Sequence, residues 1–214
     1  MKRIKEQFLD ELESVFLLEG KNVLEVGCGN GTRSEQIAKR CNKLTGIDPS
    51  LENIVVAQNK NISNGVFKEG KAEKLDFADK SFDAVIFTLS LHHVPESLMN
   101  QAISEAVRVV KRDGFIVFLE PTMDGSFFEA ELKFDACDGD ETKEKASAYR
   151  AMTEHSQLKL VKEIPDETVF QFDSEEDFIA SMTPKKNLAE LEVFLQKYNH
   201  ILNAERRINV FQQK

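Results

Sequence analysis

Between Asn22 and Glu120 the chain repeats one pattern: a short apolar run, a turn, and a stretch of helical length. The runs are NVLEV (22–26), KLTGID (43–48), GVFKEG (65–70), FDAVIFTL (82–89) and FIVFLE (115–120). A helix is expected from about Thr32 to Arg40, and a second, opened by Pro49 and Ser50, to about Asn59. A third carries Leu98, Ala102, Ala106, Val107 and Val110 on one face, with Asp113-Gly114 as its stop. Strands joined through such helices run parallel, by right-handed crossovers, and a run as continuous as FDAVIFTL is buried on both faces. The expected fold is α/β, an open, doubly wound sheet covered on both sides. Such sheets bind ligands at the carboxyl ends of their strands, where strand order reverses.

Outside that core the pattern is less regular. Ile4, Phe8, Leu12 and Val15 recur at helical spacing and predict an N-terminal helix over 3–18, ending at Gly20. Residues 121–156 form an acidic insertion, read as two helices around Gly139. LKLVKEI and ETVFQF read as one long bent strand or two. Asp173 is expected to cap the helix SEEDFIASM ahead of Pro184, and Leu188, Leu191, Leu195, Tyr198 and Leu202 mark another helix. RINVFQQK alternates and reads as a closing strand. No internal repeat or linker divides the chain, so 1–214 is expected to be one domain.

Charge narrows the partners. The formal net charge is −9 and the Lys and Arg residues are scattered, whereas a surface that grips a phosphate backbone needs them clustered. No nucleic-acid partner is expected. No apolar run approaches the roughly 18–20 residues that cross a bilayer, so no membrane insertion is expected either. MKRIKEQFLDELESVF lacks the apolar stretch of a secretory signal, and Cys28, Cys41 and Cys137 form no CxxC pair. Together these point to a reduced, cytoplasmic protein; a homodimer is left open.

The first strand ends in VGCGNGTRS, with Gly27, Gly29 and Gly31 where a ligand would lie. A backbone without Cβ can turn sharply there and let a ligand touch the main chain. A tight turn with no ligand is the plain alternative. A dinucleotide fingerprint would place its third glycine at position 32, where Thr32 stands. The spacing here is G-x-G-x-G, with Glu25 two places ahead.

LEVGCGNGTRS, GIDPS and AEKLDFADKSFDAVIFTLSLHHV resemble, in order and spacing over residues 21–120, the class I S-adenosylmethionine-dependent methyltransferases. The similarity is greatest to the small-molecule branch that includes ubiquinone- and menaquinone-biosynthesis enzymes. The resemblance implies a Rossmann-like, seven-stranded sheet whose last strand, RINVFQQK, runs antiparallel between the fifth strand and the one near Leu160. It implies S-adenosyl-L-methionine as cofactor and a small-molecule methyl acceptor, enclosed by the N-terminal helix and the 121–156 insertion. It also places the cofactor. The loop Gly27, Cys28, Gly29, Gly31 would hold the methionine part, with Glu25 attracting its ammonium through water or the loop. Asp48, next to Pro49, would take the ribose hydroxyls, and Ala72 and Glu73 would flank the adenine. Thr88, Leu89 and Ser90 would pass beside the transferred methyl. One position departs: where the family has Asp in GDAE, this chain has Lys71, which cannot accept from the adenine amino group.

Methyl transfer needs alignment first, and a general base only where the acceptor must lose a proton. His92, His93, Glu120 and Tyr149 are the candidates. No metal site is expected, because adjacent side chains such as His92 and His93 usually diverge and no carboxylate or Cys stands at ligand spacing. A nicotinamide-dependent oxidoreductase and a non-catalytic cofactor binder remain as rival classes.

Overall fold

A computed structural model describes all 214 residues. In chain order the elements are β1 (Lys2–Glu6), α1 (Phe8–Glu13), β2 (Asn22–Val26), α2 (Ser34–Ala38), β3 (Lys43–Asp48), α3 (Leu51–Asn59), β4 (Gly65–Glu69) and β5 (Phe82–Thr88). They continue with α4 (Glu96–Val109), β6 (Val110–Pro121), α5 (Gly125–Phe134), α6 (Thr142–Glu154), β7 (Leu158–Gln171), α7 (Glu175–Met182), α8 (Leu191–Lys197) and β8 (Ile201–Gln213). One sheet runs β1-β7-β8-β6-β5-β2-β3-β4. The β2–β3, β3–β4, β2–β5 and β5–β6 pairs are parallel, and β6–β8, β7–β8 and β1–β7 antiparallel. The chain leaves β2 outward through β3 and β4 and returns on its other side as β5. The reversal of strand order therefore lies between β2 and β5.

The parallel strands form where expected because both their faces are covered. Leu24, Val26, Val85 and Phe87 pack into one apolar layer, and Val23, Ala84 and Ile86 into the layer on the opposite face. Ser50 caps α3 by accepting from the Asn53 N–H at 3.3 Å. The closing strand is antiparallel between β6 and β7, as expected, and starts six residues earlier, at Ile201. The segment after Gln157 is one strand with a register shift at Leu160–Lys162.

Four expectations change. The sheet has eight strands, not seven, because residues 2–6 are a strand and not the start of a helix. Ile4 fits a period of two as well as 3.6, and the open edge of β7 decides between them: Lys2–Glu6 pairs with Thr168–Gln171, and Thr168 Oγ1 donates to the Lys5 carbonyl at 2.8 Å. Only Phe8, Leu9 and Leu12 keep a buried helical face. The helix ahead of the fifth run stops at Val109, and residues 110–114 are extended, since Val110 pairs with Phe82 in the sheet. Ser174, one residue after Asp173, caps α7 through the Asp177 N–H. The last helix is broken into a 3-10 turn (Leu188–Glu190) and α8, with left-handed Asn199 and His200 turning the chain so that Leu202 enters β8.

Candidate active site

The loop after β2 and the loop after β5 face each other at the reversal of strand order. Their contact explains the first glycine. Gly27 has φ +75°, and a Cβ there would lie 2.2 Å from the Cβ of Ser90. Ser90 Oγ donates to the Val26 carbonyl at 2.6 Å, and Thr88 Oγ1 is 3.1 Å from the Gly27 carbonyl. Gly29 (φ +52°) has nothing within 4 Å of its missing Cβ, so a side chain there would project into open space. Leu89 is itself left-handed at φ 57°, a strained conformation of the kind that gathers at functional sites.

A cleft of about 840 Å³ opens over these loops, within the usual range of small-molecule sites. Gly27, Cys28, Gly29, Asp48, Pro49, Ala72, Glu73, Thr88, Leu89 and Ser90 all line it. Gly31 does not, and its missing Cβ lies 3.0 Å from the Cβ of Ala57, so it serves the packing of α3. Glu25 is also behind the wall. It is fully buried, accepts from Ser34 Oγ at 2.5 Å and Thr88 Oγ1 at 3.0 Å, and burial pushes its carboxyl up to about 7 although both hydroxyls oppose that. Glu25 thus acts on the cleft through the loop. Asp48 accepts from the Gly29 N–H (2.9 Å), the Ser50 N–H (3.0 Å) and Asn53 Nδ2 (3.1 Å). A carboxylate offers about four lone-pair sites, so about one stays free for a sugar hydroxyl, fewer than the pair expected. Lys71 lines the cleft and is exposed.

A second cavity of about 240 Å³ lies beside the first, under the insertion. Five residues line both: Arg3, Arg33, Leu89, His93 and Asp138. Arg33 has no hydrogen-bonding partner for its buried Nε and stands 3.8 Å from Glu6 Oε2, and burial lowers its guanidinium to about 10. A desolvated guanidinium whose Nε has no hydrogen-bond partner suits an anionic group on the ligand side. Phe127 and Phe128 face this cavity. Phe134, on the same helix, faces away from it and is buried against Phe178 and Phe194, because α5 packs on the helices after β7. Helix α1 is buried in the core and touches neither cavity; β1 supplies the N-terminal wall through Arg3.

Among the acid–base candidates, Glu120 is buried and fully engaged. Its Oε1 accepts from the Ser90 and Leu91 N–H groups at 3.1 and 2.8 Å, and its Oε2 bonds His92 Nδ1. Burial alone would lower the His92 imidazole, but the charge and hydrogen bond of Glu120 outweigh it and hold His92 above the usual range. His93 is half exposed and is lowered by burial and by the neighbouring His92. The two rings do not diverge: their centroids are 4.1 Å apart, and Glu141 reaches His93 Nδ1 at 3.4 Å and His92 Nε2 at 3.9 Å. Adjacent side chains alternate in a strand, but these sit in a turn, where alternation does not hold. Tyr149 lies outside both cavities, its hydroxyl donating to Glu163 Oε2 at 3.0 Å. Sequence reasoning missed Arg3, Arg33, Asp138 and Glu141. Only Arg33, directly behind the glycine loop, had a signal to offer.

A doubly wound sheet with a G-x-G-x-G loop at the switch point and a carboxylate ending the next strand is the arrangement that the resemblance to the class I S-adenosylmethionine-dependent methyltransferases implies. Residues 24–118 match the Methyltransferase domain family. The chain is 35% identical over 106 residues to a fatty-acid O-methyltransferase of Mycolicibacterium smegmatis, covering 48% of this chain and 38% of that one. It is 36% identical over 92 residues to a ubiquinone biosynthesis O-methyltransferase of Azorhizobium caulinodans, covering 42% and 36%. It thus spans less than half the length of these curated relatives. A solved S-adenosylmethionine-dependent methyltransferase of Methanosarcina mazei shares the fold at TM-score 0.62 and 18% identity, over 94% of this chain and 96% of that one.

The residues present fit S-adenosylmethionine. A Cβ at Gly29 would occupy the space in front of the loop, the Asp48 carboxylate is placed for a sugar, and the cleft is large enough.

Proposed function

We propose that this chain is an enzyme that methylates an oxygen of a small-molecule acceptor at the expense of S-adenosylmethionine. The observation that carries this reading is the shared wall: the cofactor cleft and the second cavity meet at Arg3, Arg33, Leu89, His93 and Asp138. Two bound molecules would meet there and nowhere else. Both curated relatives named above are, by name, O-methyltransferases, which favours oxygen over nitrogen or carbon.

Bound S-adenosylmethionine would supply an electrophilic methyl to an acceptor atom in line with its S–CH₃ bond, with S-adenosylhomocysteine as the leaving group. The chain's own contribution is position, which can account for roughly 7–11 kcal/mol of a barrier. The glycine loop and Asp48 hold one molecule, and Leu89 with Phe127 and Phe128 shape the pocket for the other. Arg33 offers guanidinium N–H groups to a carboxylate at the boundary. Glu120 positions His92, whose Nε2 with His93 Nδ1 forms the basic edge of the acceptor cavity. His92, His93 and Glu120 remain the acid–base residues of this reading, Glu120 as the positioning one. The three free cysteines agree with a reducing, cytoplasmic setting, and no helix is long and apolar enough to cross a membrane.

The test is formation of S-adenosylhomocysteine from S-adenosylmethionine with panels of carboxylic acids, phenols, alcohols, thiols and amines. Turnover with a hydroxyl or carboxyl compound, with a raised KM for the acceptor in Arg33→Gln, is expected. Tight cofactor binding without turnover on any panel would make the chain a non-catalytic binder.

A further inference from the structure

The turn after β5 and the turn before α6 bring His92, His93 and Glu141 together at the junction of the two cavities. One ligand atom from each lies within 4.8 Å of the other two. We propose that these three side chains bind a divalent transition-metal ion, zinc or a similar borderline ion, with its open side toward the acceptor cavity.

The geometry is close to what coordination needs. Ligand atoms around a tetrahedral zinc stand about 3.4 Å apart for bonds of about 2.1 Å. Here His93 Nδ1 is 3.4 Å and His92 Nε2 3.9 Å from the Glu141 oxygens. The outer arrangement is that of a metal-binding histidine. His92 Nδ1 is bonded to Glu120, whose other oxygen is fixed by two backbone N–H groups, so the ring is locked with Nε2 toward Glu141. His92 is 4% and Glu141 14% exposed, whereas the half-exposed His93 faces both cavities. His92 is thus held rigidly, and the other two can close on the ion.

Charge at the imidazoles favours a cation as well. Three carboxylates, Glu120, Asp138 and Glu141, act on the imidazoles, against one ammonium, Lys145, and the guanidiniums of Arg3 and Arg33 on the same cavity wall. Lys145 is 3.7 Å from Glu141 and is neutralised by Glu131 at 3.0 Å. Two imidazoles with one carboxylate suit zinc, iron, cobalt or nickel; magnesium and calcium prefer oxygen throughout. The remaining coordination position points at space an acceptor would fill, and the acceptor chemistry it matches is a hydroxyl or carboxylate oxygen. Coordination uses the same nitrogen lone pairs as proton acceptance, so metal ligand and general base are exclusive roles for these histidines.

The experiment is calorimetric titration of the chelator-stripped chain with Zn²⁺, Co²⁺ and Mg²⁺, with no cofactor or acceptor present. Failure of this proposal therefore leaves the methyltransferase reading standing, and the converse also holds. One Zn²⁺ or Co²⁺ per chain is expected, with binding at least tenfold weaker in Glu141→Gln and in His93→Ala, and no Mg²⁺ binding at the same concentrations. His93→Ala alters a half-exposed side chain and so guards against a folding defect in the other variant. Cys137→Ser should bind as the wild type does, and the Co²⁺ form should lack thiolate charge-transfer absorption. No stoichiometric binding, unchanged binding in both folded ligand variants, or a thiolate band would overturn the proposal.

Discussion

Replacing Glu25 by Gln removes a buried charge while leaving its hydrogen bonds a way to survive. Glu25 is fully buried under the glycine loop, held by Ser34 and Thr88. A Gln amide can accept from Ser34 and donate to Thr88 Oγ1, whose own proton then goes to the Gly27 carbonyl, 3.1 Å away. Burial raises the wild-type carboxyl from 4.5 to about 7. Because the folded state holds this proton more tightly than the unfolded chain, its contribution is full below about pH 4.5 and is lost as pH rises through about 7. At about 1.4 kcal/mol for each pH unit the loss is ~3 kcal/mol. Urea unfolding of both proteins at pH 5 and pH 8 reads it directly, since other titrating groups cancel in the difference. Glu25→Gln should gain ~2.5 kcal/mol on the wild type between the two conditions and be the more stable at pH 8. An equal difference at both pH values would mean that Glu25 does not titrate in this range, and would refute the reasoning.

Gly27→Ala meets both a left-handed backbone and Ser90, and should lose about 2 kcal/mol or more of stability; adding Ser90→Gly should restore part of it in thermal melts. Asp48→Asn replaces one acceptor in a set that fixes the Gly29, Ser50 and Asn53 donors, and should weaken S-adenosylhomocysteine by about 2–3 kcal/mol in calorimetry; an unchanged Kd would remove Asp48 from the site. Lys71→Asp gives the cleft an acceptor beside the Ala72 N–H and should tighten the same ligand by about 1 kcal/mol; weaker binding would show that Lys71 makes a favourable contact. Amide exchange over 121–156 should slow when S-adenosylhomocysteine and an acceptor bind together; equal exchange in both states would mark the insertion as a fixed wall.

The parts of the fold legible in the sequence are those where burial acts on both faces. Asn22–Val26, Lys43–Asp48 and Phe82–Thr88 are flanked by sheet on both edges, so tertiary structure asks of them the same continuous apolar run that local pattern shows. Lys2–Glu6 is the opposite case. It sits at an edge with Ile4 45% exposed, and the partner that makes it a strand lies more than 160 residues away. The cofactor loop was readable because its glycines answer to local backbone geometry. The acceptor side was not, because Glu141 and Asp138 reach the histidines from an insertion whose own residues say only that it is acidic and helical. Arg33 shows an intermediate legibility: its place after the glycines is visible, but the unpartnered, buried Nε exists only in three dimensions.

The two halves of the site are not independent surfaces. Ser34, Glu25 and Thr88 form one hydrogen-bonded line beneath the glycine loop, and Thr88 and Ser90 tie that loop to the turn after β5 through the Gly27 and Val26 carbonyls. The Ser90 N–H continues the line to Glu120, and Glu120 to His92. The wall that would hold the cofactor and the wall that carries the histidines are therefore one body, rooted in the central strands β2, β5 and β6. Reactions that depend on in-line approach lose rate steeply with small misplacements, so rigidity is needed where the two molecules meet. Only the far side of the acceptor cavity, with Phe127, Phe128, Asp138 and Glu141, comes from the insertion. That division lets the sheet keep one geometry for the transferred group while a separate segment sets what is admitted beside it.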